Sequence, residues 1–211
     1  MMQRLYIVGC GGFGREVHDI VNAENEVSPT WEFAGYIDDT PSEENLRLVS
    51  RRGAQVVGGI AHALELQPAH FVIGIGTGRI RESVATRLEA AGWMSAVLVH
   101  PAASLGADVE LGPGSVICAG ARLTTNITLG HHVHININST VGHDSTFDSY
   151  ATVNPLAAIS GGVSVGERSM VGTHAAILQN LNVGVDSIVG AGSLVTKSVP
   201  DNTVVKGVPA R

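Results

Sequence analysis

Two stretches of this sequence carry residue types that could do chemistry. The first is T-V-G-H-D-S at 140–145, where His143 stands beside Asp144 in a run otherwise almost free of charge. A histidine titrates near neutral pH, so it can take a proton from an attacking nucleophile. A neighbouring carboxylate can orient the ring and stabilise its protonated form. Spacing alone does not show that the Asp144 side chain reaches the ring. The chain has nine histidines, so a solvated surface histidine is the plain alternative. The second stretch is G-C-G-G-F-G at 9–14, which fits G-x-G-x-x-G through Gly9, Gly11 and Gly14. Backbone amides at a helix N-terminus, reached through such a turn, face phosphate well. Asp38 and Asp39 fall about where a dinucleotide fold places its ribose ligand.

The elements around the glycine turn alternate. R-L-Y-I-V-G-C-G-G (4–12) reads as a buried strand and 14–25 as a helix through Val17, Ile20 and Val21. Residues 31–39, 54–59, 70–78 and 95–101 read as further strands, and 79–92 as an amphipathic helix. Strand–helix alternation predicts a parallel α/β sheet. About 100 residues make one mononucleotide half, which suits a single nucleotide better than NAD.

His143 lies in a segment with a different rule. From Leu105, every sixth residue is aliphatic or Phe: Leu105, Leu111, Ile117, Leu123, Leu129, Ile135, Val141, Phe147, Val153, Ile159, Val165, Val171, Ile177, Val183, Val189 and Val195. Four residues after each stands Ser, Ala, Val, Ile or Leu, and Gly often follows the aliphatic directly, as at Gly112 and Gly142. Six is too short for a helical repeat; such a period belongs to a parallel β-helix whose aliphatics stack inside the prism. His143, two residues past Val141, then projects outward. Gly and Asn are expected to take the turn dihedrals. The predicted organisation is an α/β domain at 1–100, a β-helix at 101–198 and a closing segment at 199–211.

Bulk properties agree. The chain has 211 residues, 44% hydrophobic and 15% charged, with a formal net charge of -6 and no basic run. Nucleic acid and anionic membranes are therefore poor partners. Cys10 and Cys118 suggest neither a disulfide framework nor a zinc cluster. With no signal peptide or membrane-length apolar run, a cytoplasmic protein is expected.

The combination of a half dinucleotide fold and hexads, with G-x-P-A-R at Gly207, Pro209, Ala210 and Arg211, resembles the bacterial nucleotide-sugar N-acetyltransferases of the hexapeptide-repeat superfamily. It also resembles the sialic acid O-acetyltransferase-like proteins related to them. The resemblance covers essentially the whole chain. It implies a left-handed β-helix with 18-residue triangular coils and a homotrimer with sites between neighbouring prisms. It implies acetyl-CoA as co-substrate, no metal, and a nucleotide-linked 4-amino-4,6-dideoxyhexose as acceptor. His143 would be the general base with Asp144 orienting it, in direct transfer within a ternary complex. Gly11, Gly12 and Phe13 would hold the diphosphate, and Asp38 and Asp39 the base or ribose. Phe13 stands where many members carry histidine. Asn136 would bond the sugar, against a turn asparagine as the alternative. Thr152 occupies a position where relatives often have a histidine near the thioester. Groups near Thr173 and Ala191 would bind the pantetheine arm, and Lys197, Lys206 or Arg211 could meet the coenzyme phosphates.

Three other readings compete with this one. The γ-type carbonic anhydrases share the β-helix but need H-x-x-x-x-H, and no two of His131, His132, His134, His143 and His174 are five apart. Sialic acid O-acetylation and non-catalytic sugar-nucleotide binding are the other two.

Overall fold

The structure, a computed structural model, describes residues 2–211. The chain divides into two compact units, with the boundary between Leu98 and Val99.

The first unit is a five-stranded parallel sheet of β1 (Gln3–Val8), β2 (Trp31–Ile37), β3 (Val56–Gly58), β4 (His70–Ile73) and β5 (Met94–Ser95), in the order β3-β2-β1-β4-β5. The order reverses direction between β1 and β4. In open α/β sheets the crevice beyond the carboxyl ends of the strands at such a reversal receives the ligand. Helix α1 (Gly12–Val27) buries Val17, His18, Ile20 and Val21 on one face. Two helices were not read from the sequence. Helix α2 (Glu43–Ser50) starts at Ser42, whose side chain accepts from the Asn45 amide, a standard N-cap. The other is the single turn α3 (Ile60–Ala63). Helix α4 (Gly78–Ala90) follows β4. The run 95–101, expected as one strand, is broken: β5 ends at Ser95 and a separate strand forms at Leu98–Val99.

His18 is buried under α1, with Nδ1 2.9 Å from the Tyr36 hydroxyl and its ring stacked on Phe33 at 3.9 Å. Burial, and then the Arg52 charge, pull its pKa down to about 4. The folded protein thus binds this proton less readily than the unfolded chain. The contribution to stability is whole above about pH 6.5 and drains as pH falls toward 4, by about 3 kcal/mol in all. Urea unfolding at a series of pH values between 7.5 and 4 is expected to show this loss, and His18→Phe to flatten the slope over that window.

The second unit is a three-faced prism of parallel strands, most of them two residues long. Face I runs from Leu98–Val99 through Val116–Ile117, His134–Ile135, Thr152–Val153, Met170–Val171 and Ile188–Val189 to Val204–Val205. Face II runs from Ser104–Leu105 through Thr140–Val141 to Leu194–Val195, and face III from Val109–Leu111 through Thr146–Phe147 to Asn182–Val183. Partners lie 18 residues apart, as in Arg122↔Thr140↔Ala158, so three hexads make one coil. The hexad aliphatics from Ile117 to Val195 form one continuous buried column system. Beyond Val195 the coil shortens by two residues, because Val189 pairs with Val205 and Val183 with Val199. Val199 and Val205 stay in the core. The tail then folds over the last coil: Ala210 N–H donates to Leu194 O at 2.7 Å and Gly207 N–H to Ser193 Oγ at 3.0 Å.

The corners use glycine in two ways. The left-handed backbone falls three residues after the hexad aliphatic, at Asn126, Asn138, Asp144 and Gly162 among others, with bulkier Tyr150 and Leu156 also there. Asn and Asp tolerate this region best after Gly. The glycines directly after the aliphatic have another reason. A Cβ on Gly142 would lie 2.5 Å from Gly161 N on the next coil, so these positions are small because coils stack closely. No helix among the described residues is long and apolar enough to cross a membrane.

Candidate active site

His143 and Asp144 occupy the edge between faces II and III. Successive side chains in an extended chain point to opposite sides. Asp144 is instead left-handed at φ 60°, and the turn brings its carboxylate beside its own neighbour: Asp144 Oδ2 lies 2.6 Å from His143 Nδ1. The backbone here is pinned above and below. Asp144 N–H donates to Thr125 O at 3.1 Å, and Gly162 N–H to His143 O at 2.8 Å. Both side chains remain more than half exposed, 66% and 55%, so a ligand can reach the ring.

Two residues that the sequence reading passed over complete this edge. One coil before Asp144, Asn126 Nδ2 donates to Asp144 Oδ1 at 2.5 Å. That bond, and next the one to His143, hold the Asp144 carboxyl below the usual carboxylate range. The carboxylate is therefore ionised and can only accept, so Nδ1 of His143 carries the hydrogen, and in the neutral ring Nε2 is the nitrogen with the lone pair. One coil after His143 stands Gly161, where a Cβ would come within 2.6 Å of both Cε1 and Nε2 of the ring. The imidazole rests in the space that this glycine leaves. The Gly161 N–H makes no hydrogen bond among the described residues. Both residues lie one 18-residue step from the dyad, which was the signal available in the sequence.

The other expected prism residues lie elsewhere. Thr173 and Ala191 are exposed one above the other on the edge between faces I and II, in line with Ile137 and Pro155. Asn136 is buried at that edge, with its Nδ2 taken by Val153 O at 2.9 Å. Thr152 is buried on face I, in register with His134. Lys197 is exposed on the same edge as His143. One chain thus separates the expected base from the expected pantetheine groups at Thr173 and Ala191.

In the first unit the glycine turn is open above. A Cβ on Gly11 or Gly12 would meet nothing within 4 Å. Gly14 has no such freedom, since its Cβ would fall on Gly9 O. Helix α1 has no side-chain cap and no acidic residue in its first turn, so no side chain of that turn offsets the positive end of the helix dipole. Phe13 lies in that first turn. The Cys10 peptide is held on both sides: its N–H donates to Asp38 Oδ2 at 2.9 Å, and its carbonyl accepts from Arg15 Nη1 at 2.8 Å. Asp38 Oδ1 also accepts from Thr40 N–H, and Asp39 Oδ1 from Ile60 N–H at 2.7 Å. The two aspartates therefore brace the loops around a pocket that they also line. Val8, Gly9, Ile37 and Ile75 form part of its wall. Burial, with Asp38 adding, pushes the Cys10 thiol up to about 12, so it is no thiolate nucleophile. No group of three His, Cys, Asp or Glu among the described residues is placed to hold a metal ion.

Residues 4–88 match the PglD N-terminal domain family. Over 97% of its length the chain is 29% identical to GDP-perosamine N-acetyltransferase of Escherichia coli O157:H7, covering 94% of that protein. It superposes on PerB from Caulobacter crescentus, in complex with CoA and GDP-perosamine, with a TM-score of 0.87 at 28% identity, covering 100% of this chain and 97% of that one. It superposes on WeeI from Acinetobacter baumannii AYE with a TM-score of 0.87 at 30% identity, covering 100% and 99%.

Proposed function

The chain belongs to the bacterial nucleotide-sugar N-acetyltransferases of the hexapeptide-repeat, left-handed β-helix superfamily, and from that premise we propose how its residues carry the reaction. It is an acetyl-CoA-dependent enzyme that acetylates the amino group of a nucleotide-linked sugar. The acceptor is a 4-amino-4,6-dideoxyhexose. The observation that carries this mechanism is the oriented dyad, with Nδ1 bound to an ionised carboxylate and Nε2 free at an exposed edge.

Nε2 of His143 takes the proton released as the amine nitrogen bonds to the acetyl carbonyl carbon. Asp144 stabilises the imidazolium so formed. The Gly161 N–H, unpaired beside the ring, is placed to donate to the carbonyl oxygen as it gains charge. The carbon–sulfur bond then breaks, and His143 returns its proton to the leaving coenzyme A sulfur. No acyl-enzyme is needed, and Cys10 and Cys118 are both buried. The amides of Gly11, Gly12 and Phe13 bind the diphosphate, while the pocket at Asp38 and Asp39 takes the nucleoside. Two free, buried thiols fit a cytoplasmic location.

We read the assembly as a homotrimer. The dyad and the Thr173–Ala191 column sit on different edges, so a neighbouring copy would supply the pantetheine-binding edge. Ile137, Leu156 and Leu178 are exposed apolar side chains of this unit, and they would be covered in such an assembly. Sedimentation equilibrium should give a mass three times 21.9 kDa; a monomer that turns over would sink the shared site. The activity is tested by release of free coenzyme A thiol from acetyl-CoA with UDP-, GDP- and dTDP-linked amino-dideoxysugars. Turnover with one of them is expected. No turnover with any would refute the acceptor class.

A further inference from the structure

We propose that Asn126 is a positioning residue for the base: its side-chain amide locks Asp144 in the rotamer that fixes the tautomer and orientation of His143. This rests on the reading of His143 as the general base. Asn126 lies one coil before Asp144 in the same left-handed corner position, φ 56° against 60°. Coil stacking alone brings the two side chains into contact. Nδ2 donates to Oδ1 at 2.5 Å while Oδ2 meets His143 Nδ1 at 2.6 Å. Both carboxylate oxygens are thereby committed, one to each neighbour, and the carboxyl group cannot rotate without breaking a charge-assisted bond. Asp144 is half exposed, so the packing of a buried site is not available to hold it. Asn126 supplies the restraint instead.

A corner asparagine has a plain structural use, which is to adopt the left-handed backbone. The two roles separate experimentally, because glycine fills the same corner position at Gly114, Gly120, Gly162 and Gly192. Asn126→Gly keeps the corner and removes only the amide. Asn126→Asp keeps the shape and replaces the donor with a second carboxylate facing Asp144.

Both variants are expected to fold with the parent's melting temperature to within a few degrees. Each should lose roughly tenfold to a hundredfold in kcat, by analogy with the loss when an outer partner of a metal-bound histidine is removed, with KM for both substrates nearly unchanged. An independent readout is the 15N spectrum of the histidine rings, with His143 assigned from the His143→Asn spectrum. At pH 8 the parent should show His143 protonated at Nδ1 and bare at Nε2. Asn126→Gly should show the two tautomers mixing. Parent-like kcat in both variants would overturn the proposal, and so would a kcat loss with the tautomer unchanged. If the parent transfers acetyl to no acceptor, the enzymatic reading fails, while the ring spectrum still decides whether Asn126 fixes the dyad.

Discussion

Replacing His143 with alanine lowers kcat by a factor of roughly 100 to 10,000, the usual worth of a positioned general base. KM for nucleotide sugar and acetyl-CoA should move little, because the substitution alters neither the glycine turn nor the Thr173–Ala191 edge. The fold should be unaffected: the ring is 66% exposed and belongs to no core column. The residual rate should rise with pH more steeply than the parent's, since an amine that has already lost its proton needs no base. Initial rates from pH 6 to 9 at saturating substrates check this. A variant within threefold of the parent would remove His143 from the chemistry.

Gly161→Ala should reach the lower end of that loss without replacing the residue that reacts. The added methyl would sit 2.6 Å from Cε1 and Nε2 of His143, closer than carbon atoms approach. The ring is the free end of a side chain, so it swings away at small cost to stability. Swinging breaks the 2.6 Å bond to Asp144 and moves Nε2 by an ångström or more. A displacement of that size can cost roughly 100-fold in rate. The expected signature is a kcat drop of that order, a melting temperature within about two degrees of the parent, and unchanged binding of the nucleotide sugar by calorimetry. Gly142→Ala makes the contrast. There the new Cβ meets backbone, 2.5 Å from Gly161 N, and backbone cannot swing, so stability should fall together with activity.

The two halves of the chain were unequally legible. The step of six from Leu105 to Val195 announced the prism because each coil repeats one environment, and a repeated environment writes one residue class at a fixed interval. The slip of two residues after Val195 was not visible, since Val199 and Val205 keep the aliphatic class while changing the interval. Helix α2 was missed because its signal is a single cap, Ser42, before a short and mostly polar segment. The repeat pattern predicts turn dihedrals at the glycines after the aliphatics, whereas Gly142 is small because the next coil touches it. The dyad could be seen because His143 and Asp144 are adjacent. Asn126 and Gly161 are linked to it only through the 18-residue coil, a step that marks them as neighbours without showing that their groups touch the dyad. That Asp38 and Asp39 would spend oxygens on Cys10 and Ile60 amides was beyond sequence, because it depends on how three loops meet.

The dyad is made by one corner, with help from the same corner on the coils before and after, and this makes the prism a ruler. Neighbouring coils are about 4.8 Å apart, the spacing of paired strands. A reactive centre on such a scaffold can be moved along the axis only in whole graduations of that size. His143 and Lys197 stand on one edge three such graduations apart, about 14 Å. A His-Asp pair re-engraved one mark along, with asparagine before it and glycine after, would meet any ligand held along that edge one mark further from its anchored end. Chemical groups that differ in reach by less than one graduation would have to be told apart by the loops, because the ruler has no finer divisions.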